Sequence, residues 1–236
     1  MLQDADLGKI DFIVNARARR IKVRILPEAL SVTLPVRSNE AEAMAFINSV
    51  RQKLIVRQTE IRRKKERNGV IISEEKPLET LTFRVEIRRR KRENVFFTLK
   101  DGVLIIEVPL ESDCSESRMQ AAFWNGIGYF LRKEAKKILP QQVAFLAGKH
   151  NFSFSSVKIQ SSKSRWGSCS SRKTINLSFY LLLLPQHLID YVILHELCHT
   201  KEMNHSAKFW EWMDRVTGNK AQELNNELKQ YSMPAP

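Results

Sequence analysis

The sequence predicts an α+β fold, with strands dominating the first third of the chain and helices dominating the last third. Segments 20–25 and 81–87 alternate polar and apolar residues, which is the period of a half-buried strand. Segments 41–67 and 115–139 instead repeat apolar residues at helical spacing. Hydrophobic residues make up 43% of the 236 residues, enough to build one large core or two small ones.

The N-terminal region, residues 1–112, is expected to be β-rich with one long helix. Asn39 precedes acidic residues and predicts a helix start, and the helix is expected over Ala41–Arg67. The dipeptide Asp101-Gly102 predicts a hairpin turn. Strands are expected over residues 10–14, 20–25, 31–36, 81–87 and 103–108.

The C-terminal region, residues 113–236, is expected to carry most of the helices. Asp113 or Ser115 should cap a long helix that runs toward Leu139, with a kink or restart at Pro140. A polar loop is expected over residues 161–171. Strands are expected on either side of it, over residues 152–160 and 173–178, followed by helices over about residues 186–201, 206–216 and 221–231.

The chain is basic, with 39 Lys and Arg against 26 Asp and Glu and a net charge of +13. Two clusters stand out, Arg62–Arg67 and Arg88–Arg92. Such clusters could neutralise the phosphates of a nucleic acid. The alternative is a solvated helix face and a hairpin turn, since neither cluster contains an aromatic residue to stack on bases.

Several classes of protein are disfavoured by composition. The longest uncharged apolar run, Ile175–Leu184, is far shorter than the roughly 20 residues that a membrane helix needs. The N-terminal residues have neither the basic start nor the apolar core of a secretory signal. Three cysteines without C-x-x-C spacing fit a reducing compartment, so we expect a cytoplasmic protein.

The segment His195-Glu196-Leu197-Cys198-His199 carries the clearest chemistry. On a helix, His195 and His199 lie one turn apart and about 40° apart around the axis, so both imidazoles can reach one metal ion. Glu196 lies about 60° from His199 on the same side, within reach of a water at that ion. This spacing is typical of two zinc ligands and a general base.

A catalytic zinc site normally has three protein ligands, and His205 is the third candidate. The chain must leave the helix after His199 and turn back, and Asn204 could supply a left-handed residue for that turn. Ser206 could then cap the next helix. The sequence therefore predicts one Zn²⁺ held by His195, His199 and His205. The remaining histidines, His150 and His187, are expected to be surface or capping residues.

Two cysteines have competing interpretations. Cys198 could replace a histidine as a ligand, although a packed thiol is the commoner role for a cysteine in a helix. Cys169 lies between two serines in the polar loop and could be a nucleophile, but the sequence offers no partner to activate it.

The segment Ser164–Ser170 combines a cation, a large aromatic and a glycine just before a strand. One interpretation places it, with strand 174–178, along a substrate cleft where a strand edge pairs with an extended peptide. Arg165 would then stabilise the developing negative charge, and Trp166, Gly167 and Asn176 would bind substrate. The other interpretation is a tight turn with Trp166 in the core and Arg165 paired with a carboxylate.

These segments resemble the YgjP-like zinc metallopeptidases, relatives of the SprT and Wss proteases. The resemblance is carried by Ser164–Ser170, by Leu188–His199, and by Asn204-His205-Ser206 with Phe209-Trp210. It implies a minimal gluzincin-like, zincin-type domain with a β-rich N-terminal part, and a zinc site at His195, His199 and His205 with Glu196 as base. Metzincins share the histidine spacing but have glycine at the position of Glu202, which argues against that assignment.

The sequence thus predicts a zinc-dependent hydrolase, most simply a metallopeptidase acting on peptides or proteins. One alternative uses the same metal to hydrolyse a nucleotide or phosphate ester, although phosphoryl transfer often uses two metals. Another is a nucleic-acid-associated protein with a structural zinc, in which Cys198 could complete a closed four-ligand shell.

Overall fold

The computed structural model describes residues 2–68, 71–162 and 164–234, apart from the side chains of residues 62–68. The chain forms two compact units, Met1–Gly69 and Val70–Pro236, and each contains both helices and strands. The predicted α+β class is confirmed. The chain divides after Gly69 and not between residues 112 and 113 as expected. The reason is that the strands between residues 84 and 109 share a buried cluster with the helices that follow them.

The first unit is a four-stranded sheet followed by two helices. Its sheet order is β1-β2-β4-β3, with β2 and β4 parallel and the other pairs antiparallel. Alternate residues of β4 are buried, as the period-2 pattern predicts. The elements are β1 (Leu2–Asp4), β2 (Gly8–Val14), β3 (Lys22–Leu26), β4 (Ala29–Leu34), α1 (Glu40–Ser49) and α2 (Arg51–Asn68).

The helix predicted over Ala41–Arg67 is two helices. Val50 ends α1 with a φ of −115°, outside the helical region, and α2 begins at the next residue. The predicted start is confirmed, since the Asn39 side chain accepts a hydrogen bond of 2.8 Å from the Glu42 N–H. The side chains of the Arg62–Arg67 cluster lie outside the described part of the structure.

In its described residues, the second unit contains two three-stranded sheets and four α-helices around one buried apolar cluster. Its sheets have the orders β5-β7-β6 and β8-β10-β9. The elements are β5 (Arg84–Arg90), β6 (Phe96–Lys100), β7 (Val103–Pro109), α3 (Ser117–His150), β8 (Ser156–Gln160), β9 (Gly167–Cys169), β10 (Thr174–Ser178), a 3₁₀ helix (Phe179–Leu183), α4 (Gln186–Cys198), α5 (Ala207–Thr217) and α6 (Ala221–Leu228).

The predicted turn between β6 and β7 is confirmed. Asp101 and Gly102 both have positive φ, 50° and 74°, which matches the twist of a two-residue hairpin. The turn pairs Lys100 with Val103 at the start of the antiparallel ladder.

The long helix α3 differs from its prediction in two respects. It begins after Glu116 with no side-chain cap, while the Asp113 carboxylate accepts hydrogen bonds from Ser115 in the preceding turn. It also runs through Pro140 to His150 without a restart. Buried Ala135, Leu139 and Val143 continue the apolar stripe across the proline, so packing on the core offsets the missing hydrogen bond.

The polar loop predicted over residues 161–171 contains a strand. This strand, β9, pairs antiparallel with β10, while β8 pairs parallel with β10 from the other side. Since β10 is central, both of its edges are occupied, and β9 and β8 are the edge strands of this sheet. None of the helices described here is long and apolar enough to cross a membrane.

Candidate metal centre

Helix α4 positions the first two histidines. Its buried residues include Leu188, Val192 and Leu197, which fix one face against the core. His195 lies in the last turn of α4 and His199 is its C-terminal cap, with φ and ψ still in the helical region. The helix is shorter than predicted, but both histidines keep the one-turn spacing.

Three imidazoles converge at the end of α4. His195 Nε2 lies 3.2 Å from His199 Nε2 and 3.1 Å from His205 Nε2. These histidines are the group of potential metal ligands found in the described residues, with all ligand atoms within 4.8 Å of one another. The structure therefore brings together the three residues that the sequence proposes as ligands.

The spacing of these nitrogens fits a zinc ion. Zinc–nitrogen bonds of about 2.0–2.1 Å in a tetrahedral shell place neighbouring ligand nitrogens roughly 3.3 Å apart. The two separations from His195 Nε2 are within a few tenths of an ångström of that value. Three histidines also leave one position of a tetrahedral shell for water, as in catalytic sites.

The turn after His199 orients its ring. His199 Nδ1 donates a hydrogen bond of 3.0 Å to the backbone carbonyl of Glu202, so the proton stays on Nδ1 and Nε2 is free to bind a metal. The expectation that Asn204 adopts a left-handed conformation is wrong, because its φ is not positive. Ser206 does cap α5, accepting a hydrogen bond of 3.4 Å from the Phe209 N–H.

Phe209 packs beneath all three imidazoles. Its ring centroid lies 4.6 Å from that of His199 in a stacked arrangement, and 4.9 and 4.8 Å from those of His195 and His205. Phe209 is fully buried on α5. Sequence reasoning assigned it no role, although it belongs to the Phe209-Trp210 pair of the family motif.

Burial keeps the histidines in the form that binds metals. Burial, followed by the charges of its two neighbours, lowers the pKa of His195 to about 3. Burial also lowers the pKa of His199. At neutral pH both rings are neutral, which is the ligand form of imidazole.

Glu196 directly follows His195 on α4 and lines the same cavity as His195. It is 5% exposed, and its Oε2 atom is buried without a hydrogen-bond partner among the described residues. Burial raises the pKa of Glu196 to about 8, partly offset by the charge of Arg165 and a hydrogen bond from the backbone of Cys169.

Strand β9 lies directly against Glu196, and Gly167 makes this approach possible. A Cβ atom at position 167 would lie 2.7 Å from Glu196 Oε1 and 2.8 Å from its Cγ. Hydrogen bonds from Ser178 N to Trp166 O and from Ser170 N to Thr174 O fix the register with β10. The backbone groups of Gly167 and Cys169 therefore face the outer edge of the sheet, toward Glu196.

Arg165 and Trp166 line a cavity of about 260 Å³ beside the site, together with Gly167, Tyr191, Val192, His195, Glu196, Asn225 and Leu228. Arg165 is exposed and, within the described parts of the chain, forms no ion pair within 4 Å. Trp166 is half-buried and packs on the core, so it is both a core residue and a cavity wall. The structure thus places both residues near Glu196.

Asn176 is on the central strand of the sheet. Its amide nitrogen lies within hydrogen-bond distance of Ser168, and its Oδ1 accepts a bond of 3.0 Å from Gln160. These contacts join the three strands across their polar face. They occupy the side chain that the sequence interpretation assigned to substrate.

The cysteines do not enter the metal cluster. Cys198 is fully buried in the apolar core and is not part of the histidine group. Burial, and after it the charge of Glu196, raises the pKa of Cys169 to about 11, so its thiol is protonated at neutral pH. The raised pKa argues against the nucleophile interpretation. His187 is exposed and pairs with Glu227 at 2.8 Å, away from the cluster.

Two solved metallopeptidase zymogens resemble part of the chain. Abylysin from Pyrococcus abyssi is 24% identical over 39% of this chain and 96% of its own, with a TM-score of 0.35. Jannalysin from Methanocaldococcus jannaschii is 28% identical over 38% of this chain and 92% of its own, with a TM-score of 0.34. No curated protein matches the chain significantly.

The match to a protein family is much more extensive. The family model described as the YgjP-like metallopeptidase domain matches residues 19–231, a range that includes the three histidines, Glu196 and β9. Since this match covers most of the sequence, the chain belongs to the YgjP-like family and is a zinc metallopeptidase.

Proposed function

We propose that the protein hydrolyses peptide bonds with one zinc ion held by His195, His199 and His205 and with Glu196 as general base. Two observations carry this proposal: three imidazole nitrogens converge, and Glu196, whose buried Oε2 has no partner among the described residues, lines one cavity with His195. A zinc ion at such a site polarises the scissile carbonyl and lowers the pKa of the attacking water toward about 7.

Glu196 supplies the proton transfers. Its Oε2 atom, having no hydrogen bond of its own, can take the proton of the attacking water and later deliver it to the leaving amine. The backbone of β9, through Cys169 and the close approach of Gly167, would orient the carboxylate before substrate arrives. The apolar surroundings of Glu196 exclude competing water.

The substrate backbone would pair with β9 and not, as the sequence suggested, with the edge of strand 174–178, because that strand is central. The outward-facing N–H and C=O of Gly167 are the groups available to an extended peptide running antiparallel to β9. Such a peptide would pass Glu196 and reach the cavity beside Arg165 and Trp166. Arg165 remains our candidate for stabilising developing negative charge.

Replacing Glu196 with Gln tests this proposal. We expect zinc content to stay at one ion per chain by elemental analysis, while hydrolysis of a peptide library falls by about 10²–10⁴-fold. Glu211→Gln, an exposed change on α5, is the matched control. Wild-type activity in Glu196→Gln would remove this residue from its role.

The same preparations should be screened against nucleotides and phosphate esters. Hydrolysis of those compounds, sensitive to Glu196→Gln and without any peptide cleavage, would favour the alternative hydrolase. A zinc shell completed by a fourth protein side chain would contradict both enzymatic proposals.

We also propose a cytoplasmic location. Cys114, Cys169 and Cys198 are all free thiols, which suits a reducing compartment. Cell fractionation that recovers the protein outside the cytoplasm would contradict this proposal.

A further inference from the structure

Exposed aromatic rings lie beside the second basic cluster, although the sequence places none within it. Phe96 on β6 is 51% exposed, and Tyr129 on α3 is 65% exposed. Both line one hollow of about 370 Å³. The close approach of α3 to β6 brings them together, since a Cβ atom at Gly126 would collide with the ring of Phe97.

Tyr129 also lines a second hollow. It has a volume of about 400 Å³, and Tyr129 shares its lining with Asn125, Arg132, Phe179 and Tyr180. Tyr129 is therefore an exposed ring that lines two hollows, each of which has aromatic walls. Flat, partly apolar hollows of this kind can receive planar rings by stacking.

Each hollow has an aromatic wall with an arginine over its ring. The guanidinium carbon of Arg92 lies 4.4 Å from the Phe96 ring centroid, and that of Arg132 lies 5.0 Å from the Phe179 ring centroid. An arginine over an aromatic ring can still donate N–H groups to phosphate oxygens, although Arg92 also pairs with Glu107 at 2.7 Å.

The positive charge available to a polyanion is concentrated on α3. All four arginines of the Arg88–Arg92 cluster, Arg92 included, are paired with Glu74, Glu86 or Glu107. In contrast, Arg132, Lys133 and Lys136 are exposed and follow Tyr129 at helical spacing along one stripe. The acidic residue within that stretch, Glu134, is largely buried and bonds Lys137. No acidic side chain lines either hollow among the described residues.

We propose that this region binds single-stranded nucleic acid. We call it the Tyr129 surface and define it by Arg92, Phe96, Tyr129, Arg132, Lys133 and Lys136. Bases would stack on Tyr129 and enter the flanking hollows, while phosphates would contact Arg132 and the lysines. The chain's net charge of +13 favours such a partner. This binding site is separate from the histidine cluster and does not depend on the proposed peptidase mechanism.

Fluorescence anisotropy with a labelled oligothymidine of about 15 nucleotides tests the stacking role. We expect Tyr129→Ala to weaken binding by about five- to 150-fold, the loss of one stacked base, and Tyr129→Trp to retain it. Phe145→Ala is the matched control, because Phe145 is 63% exposed on the same helix but lines neither hollow. Thermal melting would confirm that each variant is folded.

The salt dependence of binding tests the phosphate contacts separately. Arg132→Ala should reduce the slope of log K against log salt concentration by about 0.7, the value for one phosphate contact on a single strand. Tyr129→Ala should leave this slope unchanged. Arg118→Ala, an exposed arginine near the start of α3, should change neither quantity.

Three outcomes would overturn the proposal. Duplex DNA could bind as tightly as the oligothymidine with no effect of Tyr129→Ala, which would indicate unspecific charge attraction. Phosphatidylserine vesicles or polyglutamate could bind with the same dependence on Tyr129 and Arg132, which would assign the surface to another partner. The oligothymidine could also fail to bind at low salt.

Discussion

The three imidazoles, which we call the histidine side of the site, and Glu196, the glutamate side, are organised by different kinds of contact. On the histidine side, the rings pack on Phe209 and one of them donates a hydrogen bond to the Glu202 carbonyl. On the glutamate side, Glu196 has one backbone hydrogen bond and a carboxylate oxygen with none. The histidine side is therefore fixed by specific partners. Glu196 is instead held by burial and close packing, and its Oε2 atom has no hydrogen bond.

Removing a histidine should have the largest effect. It should lower zinc affinity on the histidine side and leave the glutamate side unchanged. His205→Ala leaves two converging nitrogens, so we expect zinc affinity to fall by more than the 10–100-fold typical of losing an outer-shell partner. Competition with a chromogenic chelator measures this loss. His187→Ala is the control, and an equal loss of affinity there would contradict the ligand assignment.

A methyl group added on β9 should displace Glu196 and leave the histidine side unchanged. In Gly167→Ala the new Cβ would meet Glu196 at 2.7–3.0 Å, and displacing a general base by about 1 Å can cost about 10²-fold in rate. We expect kcat to fall by about that factor with zinc affinity unchanged.

Gly148→Ala provides the comparison for this variant, since nothing lies within 4 Å of the added atom on α3. It should leave kcat unchanged and stabilise the protein by about 0.5–1 kcal/mol. Unchanged kcat in Gly167→Ala would show that Glu196 is not positioned by β9.

Changing the ring beneath the imidazoles should produce the smallest effect. Phe209→Leu keeps an apolar side chain but removes the flat contact with three rings, so we expect zinc affinity to fall about tenfold. Phe123→Leu alters another fully buried phenylalanine of the same core. If both variants lose stability equally and neither loses zinc affinity, Phe209 only fills space.

The histidine cluster could be predicted because its members are close in sequence. Three ligands within eleven residues depend on one helix and one turn, and helical periodicity places two of them directly. The environment of Glu196 could not be predicted in this way. It depends on Gly167 and Cys169, which reach α4 only through the pairing of β9 with β10.

The errors in the predicted secondary structure also arise from packing between segments that are far apart in sequence. Pro140 indicates a helix break in isolation, but the buried stripe on either side of it keeps α3 continuous. Val50 carries no strong stop signal, yet α1 ends there. The division expected at residue 112 differs from the one observed after Gly69, because the core shared by β5–β7 and α3 is not visible in composition. Local propensity decides an element only where tertiary packing does not oppose it.

The hydrogen bond from His199 to position 202 ends on a main-chain carbonyl, so any amino acid there can provide it. Exchange of Glu202 for glycine or glutamine should therefore leave the tautomer of His199 unaltered. Insertion or deletion of a residue between positions 200 and 204 would instead move that carbonyl away. The length of this turn, more than its composition, is what we expect evolution to preserve.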